Sequence, residues 1–284
     1  MDNRTDFRKP RGPAFLAEQA RRALVLPHEI HELGDVPLPL VHTALGVALC
    51  AIAVLVRPQA VGLRSSVVFM AVLSAAMVMA FTIYDRLVYE PGVRPGIEGS
   101  ALPIAALAAF QCVLAASIGW HVRLGSAVGA SLIIGGVPHL AGLRAAGREG
   151  TAGRLVRDAA GVAALLPVML VGVTPMLQWW SRGALVLVCV TLVTFDSLRT
   201  EGMHEWVALA TAMVVAWIVA AASALVDTVG ASGNVRAPAL LLVLWYSLRG
   251  LCGSYVVRPR RVAHMAEYVI FAGAAVALIQ WMRR

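Results

Sequence analysis

The chain has 284 residues, of which 59% are hydrophobic and 14% charged, and its mean hydropathy is +0.76. A soluble domain cannot bury that much apolar surface, and the unbroken apolar runs lack the alternation of a membrane β-barrel. The net charge of +8 comes mostly from arginines between the apolar runs, which is typical of membrane orientation and not of nucleic-acid binding. We therefore predict an all-α, polytopic transmembrane helix bundle in a lipid bilayer, with no nucleic-acid partner.

Residues 1–36 are predicted to form a cytoplasmic lead-in that contains an amphipathic surface helix. Within 13–26, apolar residues such as Leu16 recur on one helical face, while charged residues such as Glu18 share the other. Pro27 would end this helix because proline lacks the backbone N–H group. A solvated helix that does not touch the membrane is the alternative.

The remainder, 37–284, is predicted to be the transmembrane domain. Nine apolar segments each approach the roughly 20 residues needed to cross a hydrocarbon core. An eight-span arrangement is the alternative. The predicted spans are 38–56, 64–84, 101–120, 125–143, 159–178, 183–198, 206–227, 237–257 and 264–282.

Loop arginines predict which side of the membrane each loop faces. They concentrate before the first span, in the loop 144–158 and in the loop 258–263. Because such loops stay on the cytoplasmic side, the N-terminus is predicted to be cytoplasmic. Arginine outnumbers lysine so strongly, with Lys9 the single lysine, that the composition indicates a bacterial genome and hence a bacterial inner membrane.

Two short motifs suggest an internal repeat. Tyr84-Asp85-x-Leu87 resembles Phe195-Asp196-x-Leu198, and Glu98-Gly99 resembles Glu201-Gly202. Each pair falls between the second and third spans of a four-span block. The hypothesis is two parallel four-span halves, 38–143 and 159–257, plus one extra helix at 264–282. Chance similarity in a biased composition is the alternative.

Most loop carboxylates lie on the side predicted to be cytoplasmic, and the stretch 195–206 is the densest. Glu201-x-x-His204 has the spacing of a di-metal motif but lacks a second copy, so we predict no metal or cofactor. A solvated turn is the favoured interpretation, and a polar binding site is the alternative. The candidate residues for that site are Asp85, Arg86, Glu98, Asp196, Arg199, Glu201, His204 and Glu205.

Polar residues inside the spans are few, and His139 is the candidate intramembrane position. It follows Gly135-Gly136-Val137-Pro138, a sequence able to break a helix. A locally hydrogen-bonded histidine is the simpler interpretation. The sequence contains no recognisable catalytic motif, so no catalytic residue is predicted.

Three functions therefore remain open. The first is a structural or accessory component of a membrane assembly, with partner membrane proteins or a second copy. The second is a permease or channel for a small solute. The third is a membrane enzyme that acts on a lipid-linked substrate at the cytoplasmic face.

Overall fold

The computed structural model describes residues 39–55, 63–89, 96–116, 119–173, 179–228 and 236–257, together with 266–270, 272–274 and 277. The predicted lead-in 1–36 lies outside the described residues, as does most of the predicted last span. The described residues belong to one compact unit, Val36–Arg284.

Within these residues the chain forms eight long helices and no strand, which confirms the predicted all-α class. Seven helices are long and apolar enough to cross a membrane, and α1 is a shorter apolar helix. The first eight predicted spans each correspond to one helix. The helices are α1 (Leu40–Leu55), α2 (Leu63–Val88), α3 (Glu98–Ala115), α4 (Trp120–Ala145), α5 (Thr151–Gly172), α6 (Trp179–Thr200), α7 (Glu205–Thr228) and α8 (Arg236–Val257).

Two predicted boundaries are wrong. The predicted loop 144–158 is mostly helical, because α4 continues to Ala145 and α5 begins at Thr151. The break between α3 and α4 precedes Trp120, which begins α4 and does not end α3. The first error arises because charged residues are typical of loops, whereas several charged residues of this segment form ion pairs inside the bundle.

The ion pairs define one end of the bundle. His42 near the start of α1 contacts Asp85 near the end of α2, and Glu98 at the start of α3 contacts Arg144 near the end of α4. Arg199 near the end of α6 reaches the same Glu98. We call this the charged end, where α1, α3, α5 and α7 begin and α2, α4, α6 and α8 end.

The helices form two groups of four. In the first group α1 packs against α2 and α4, and α3 packs against α2 and α4. In the second group α5 packs against α6 and α8, and α7 packs against α6 and α8. The groups meet where α3 packs against α5 and α6. Helix α3 is therefore central: 72% of it is buried, compared with 22% of the membrane-spanning part of α2.

Small side chains allow α3 to occupy the centre. Ala101, Ala105, Ala108 and Ala109 are all buried, so neighbouring backbones can approach closely. The outward surfaces of the other helices carry large apolar side chains, such as Trp217 at 63% exposure. Exposed apolar side chains over several helices suit a lipid environment.

Helices α1 and α4 come into close contact at a glycine. A Cβ atom at Gly135 would lie 2.8 Å from the Cα atom of Thr43 in α1, and one at Gly46 would lie 3.1 Å from Ile134. A Cβ atom at Gly136, the next residue, would meet open space. Close packing of α1 on α4 therefore requires glycine at position 135 and does not require it at position 136.

Replacing Gly135 with leucine should destabilise the bundle by separating α1 from α4. Overpacking of this kind costs about 1–3 kcal/mol. Thermal unfolding of the purified protein in detergent measures the loss, and Gly136→Leu is the matched control. Equal melting temperatures for the two variants would contradict the close α1–α4 contact.

Candidate functional site

The end of α6 is formed by a glycine turn. Gly202 has φ 89°, a conformation that glycine adopts without steric cost. Its N–H group donates to the carbonyl of Arg199 at 3.0 Å, and the N–H group of Met203 donates to that of Leu198 at 3.3 Å. These two bonds are the Schellman ending of a helix, with Leu198 and Met203 in one apolar cluster. The turn places Arg199 in the last turn of α6.

The same ending closes α4. Gly147 has φ 67° and donates to the carbonyl of Arg144 at 2.8 Å, while Arg148 donates to that of Leu143 at 2.7 Å. Both helices thus end on the pattern Leu-Arg-x-x-Gly. In each case the arginine lies beside the negative end of the helix dipole, which favours a cation there.

Glu98 in the first turn of α3 joins these two arginines. Its Oε2 atom accepts a hydrogen bond from Nη1 of Arg144 at 3.1 Å, and its Oε1 atom accepts one from Nε of Arg199 at 2.5 Å. Nη1 of Arg199 also donates to the carbonyl of Met203 at 2.6 Å. The central helix is thereby tied to the ends of α4 and α6.

A fully buried ion pair lies deeper at the charged end. Arg157 of α5 and Asp196 of α6 are each 2% exposed. Nε of Arg157 donates to Oδ2 of Asp196 at 3.3 Å, and Nη2 donates to Oδ1. Glu149 brings a second carboxylate 3.6 Å from Nη1 of Arg157. The two-point pairing satisfies both charges away from water.

Arg249 of α8 completes the layer. Its Nη2 atom lies 3.1 Å from Oδ1 of Asp158 and 3.0 Å from Oε1 of Glu201. Ser197 donates to the same Asp158 oxygen at 3.2 Å. Glycine at 253 leaves room for Glu201, since a Cβ atom there would lie 3.1 Å from its Cδ atom. We call these contacts, with those of Glu98 and Arg157, the ion-pair layer.

The favoured interpretation of 195–206 as a solvated turn is wrong for residues 195–200, whereas 201–204 form a turn in which Gly202 and His204 are exposed. Residues 195–200 are the last turns of α6, and Asp196 is buried against Arg157. Glu201 pairs with Arg249, whereas His204 is exposed. Among the described residues, no group of three His, Cys, Asp or Glu side chains could hold a metal ion.

A second buried pair lies in the first group of helices. Nε2 of His42 lies 3.1 Å from Oδ1 of Asp85, and His42 is 1% exposed. The rings of Phe81 and Tyr84 lie nearly perpendicular to the imidazole, with centroid distances of 4.6 Å and 4.9 Å. Burial and the nearby charge of Asp85 raise the pKa of Tyr89, which lies just beyond α2. Asp85 thus contacts a histidine that is packed among aromatic rings, and it also lines a groove.

That groove, which we call the lateral groove, runs between α2 and α3 on one side and α6 and α7 on the other. Its volume is about 600 Å³. Charged side chains lie where it reaches the charged end, and apolar side chains line its deeper part. Its lining includes Val78, Asp85, Arg86, Ile97, Ile104, Phe195, Glu205, Trp206 and Leu209.

A smaller cavity of about 380 Å³ adjoins the lateral groove. The two share Gly96, Ile97, Phe195 and Glu205 as lining residues. The smaller cavity adds Glu98, Arg144 and Arg199 from the ion-pair layer. We call it the polar cavity. The polar cavity and the groove together provide an apolar slot that ends in paired charges.

The predicted polar site is therefore divided. Asp85, Arg86 and Glu205 line the lateral groove, and Glu98 and Arg199 line the polar cavity. Asp196 and Glu201 lie within the ion-pair layer and line neither cavity. His204 is exposed beside them, and the intramembrane candidate His139 is half-buried in α4.

Sequence reasoning missed His42, Arg144, Arg157 and Arg249 as members of the site. A signal for Arg157 was present, because it shares a helical face with the buried Gly161 and Ala164 at intervals of four and seven. Arg249 likewise follows the buried Trp245 by four residues. An arginine that lies on the same helical face as buried residues is therefore a candidate for an ion pair, even when it is close to a predicted loop.

Corresponding contacts recur in the two groups of helices. Asp85 pairs with a residue 43 positions earlier and Asp196 with one 39 positions earlier. Glu98 pairs with an arginine 46 positions later, and Glu201 pairs with Arg249. These contacts agree with a duplicated four-helix block, which stays a prediction.

No protein-family model, curated protein or solved structure matches the chain.

Removing one partner of the buried Arg157–Asp196 pair should leave an uncompensated charge inside the bundle. We expect Arg157→Leu and Asp196→Leu each to cost about 3–5 kcal/mol, and the double variant to cost less than the sum of the two single variants. Unfolding in detergent measures each loss.

Arg154→Leu is the control for that experiment, because Arg154 is an exposed arginine on the same helix. Its expected effect is within about 0.5 kcal/mol. A double variant as unstable as the sum of the single variants would mean that the two side chains do not act as a pair.

Proposed function

We propose that the protein is a lipid-binding accessory component of a membrane assembly, in a bacterial inner membrane with its charged end at the cytoplasmic face. The observation that carries this proposal is the lateral groove. Its deeper part is lined by apolar side chains such as Val78, Ile104 and Leu209, and its mouth by Asp85 and Glu205. This division matches a lipid, whose acyl chain is apolar and whose headgroup is polar.

The size of the groove supports a small-molecule occupant. Ligand cavities in proteins commonly enclose about 300–1,000 Å³, and the lateral groove falls inside this range at about 600 Å³. Trp206 lines the groove and is 71% exposed. Because tryptophan favours the membrane interface, its position agrees with an opening at headgroup level.

Helix packing explains why the groove exists. Helix α6 packs along much of α7, whereas α2 meets α1 and α3 at only a few positions. The second group of helices is therefore tightly closed where the first is open beside α2. A molecule within the bilayer could enter on that side without crossing the ion-pair layer.

The ion-pair layer favours a structural role for most of the buried charge. Asp196 and Glu201 each have an arginine partner in direct contact. Such carboxylates are poor candidates for acid–base catalysis, because each already forms an ion pair with an arginine. An accessory protein that holds a lipid, alone or with partner membrane proteins, needs no further chemistry.

One observation favours the enzyme alternative. His42 contacts Asp85, and Asp85 lines the lateral groove, so an imidazole–carboxylate pair adjoins the proposed lipid. Such pairs transfer protons in many enzymes. If the pair acts on a lipid-linked substrate, a bound lipid should change mass during incubation with the protein.

A permease would need a continuous path to the opposite end of the bundle. The lateral groove and the polar cavity both lie towards the charged end, where α3 and α7 begin. Their positions therefore support lipid binding in preference to transport of a solute.

Cysteine labelling tests the orientation. In a Cys252→Ser background, Arg148→Cys would expose a thiol at the charged end, and Gly119→Cys would expose one at the opposite end. A membrane-impermeant maleimide added to intact spheroplasts should label Cys at 119 and not at 148. Inverted vesicles should give the opposite pattern. The reverse pattern in both preparations would place the charged end outside.

A larger side chain inside the groove tests lipid binding. Leu209 of α7 lines the groove, so Leu209→Trp should occupy part of the space for an acyl chain. We expect at least a severalfold decrease in the number of lipids retained per protein, as native mass spectrometry measures after mild delipidation.

Val214→Trp is the matched control, because Val214 lies on the same helix, is 58% exposed and does not line the groove. It should retain lipid as the unaltered protein does. Equal lipid retention by the two variants and the unaltered protein would contradict binding in the groove.

A further inference from the structure

We infer that the lipid held in the lateral groove has a zwitterionic headgroup with a phosphate and a primary ammonium group. The inference rests on the proposed function and adds the chemical class of the ligand. It comes from the charges that the groove and the polar cavity present together.

Those charges are balanced and not of one sign. The groove contributes the carboxylates of Asp85 and Glu205 and the guanidinium of Arg86. The polar cavity adds one carboxylate, Glu98, and two further guanidinium groups. A headgroup of a single charge would meet repulsion from half of this surface, whereas one that carries both signs can place each charge beside its opposite.

Glu205 is the best placed acceptor for an ammonium group. It begins α7, is exposed, and lines both cavities. Asp85 lies on the opposite wall of the groove, and its Oδ1 atom contacts His42. A primary ammonium group has three N–H donors, which a carboxylate such as that of Glu205 can accept. A quaternary ammonium group has none.

Arg144 is the best placed donor for a phosphate. Only its Nη1 atom is engaged with Glu98, and its side chain is 21% exposed. Arg199 is more fully occupied, because its guanidinium bonds both to Glu98 and to the carbonyl of Met203. The planar guanidinium of Arg144 can bond a phosphate through its remaining N–H groups.

In the described part of the second group of helices, the corresponding charged side chains are already engaged with one another. There Arg249 holds both Asp158 and Glu201, its side chain is only 6% exposed, and the carboxylate of Glu201 lies against Gly253. Asp196, whose position in the motif matches Asp85, is 2% exposed and bound to Arg157. Headgroup recognition is thus confined to the open side beside α2.

The test offers the purified, delipidated full chain an equimolar mixture of phosphatidylethanolamine, phosphatidylcholine and phosphatidylglycerol. Native mass spectrometry identifies which lipid is retained. We expect phosphatidylethanolamine to be enriched by about tenfold over the other two, the size expected for one charge-assisted hydrogen bond. Glu205→Gln should abolish most of this enrichment.

Glu267→Gln is the matched control, since Glu267 is exposed and lines neither cavity. It should leave the enrichment unchanged, and a thermal unfolding curve checks that both variants fold. Retention of all three lipids in equal amounts, or enrichment of phosphatidylglycerol, would overturn the headgroup inference while leaving lipid binding intact. Failure to retain any lipid would overturn the proposed function itself.

Discussion

The charged end of the bundle is organised around the buried ion pair between Arg157 and Asp196. A guanidinium and a carboxylate removed from water are stable only if each satisfies the other, and here they meet at two points. That requirement fixes α5 against α6. The surrounding pairs extend the same constraint to α3, α4 and α8 through Glu98 and Arg249. In a bilayer, where apolar packing between helices has little hydrophobic driving force, such contacts set the relative positions of the helices.

The two groups of helices use this constraint differently. In the second group every charge of the layer is matched inside the protein, and α6 and α7 pack closely. In the first group α2 packs loosely, Asp85 is held by a histidine, and a groove opens between α2 and α7. The second group is thus closely packed, and the first group leaves room for the groove. This difference accounts for a groove on one side of a bundle whose two groups have similar contacts.

Much of the fold could be predicted from the sequence, because a transmembrane helix leaves a direct signal in the length of its apolar run. The charged end was predictable for the same reason, since the carboxylates lie where apolar runs stop. The pairing within it was not. Arg157 resembles an orienting loop arginine unless its spacing from Gly161 is considered, and Arg249 contacts residues 48 and 91 positions away. The groove depends on how loosely α2 packs, which no local pattern encodes.

The most direct test of the account is an experimental structure of the protein in a lipid bilayer or lipidic mesophase, at a resolution that reveals acyl chains. Lipid binding predicts one elongated density in the lateral groove, with its apolar part near Leu209 and its polar end near Glu205. It also predicts that α2 and α7 stay apart on either side of that density. A groove closed by direct packing of α2 on α7, or one filled by a helix of another protein, would contradict the claim that this bundle holds a lipid.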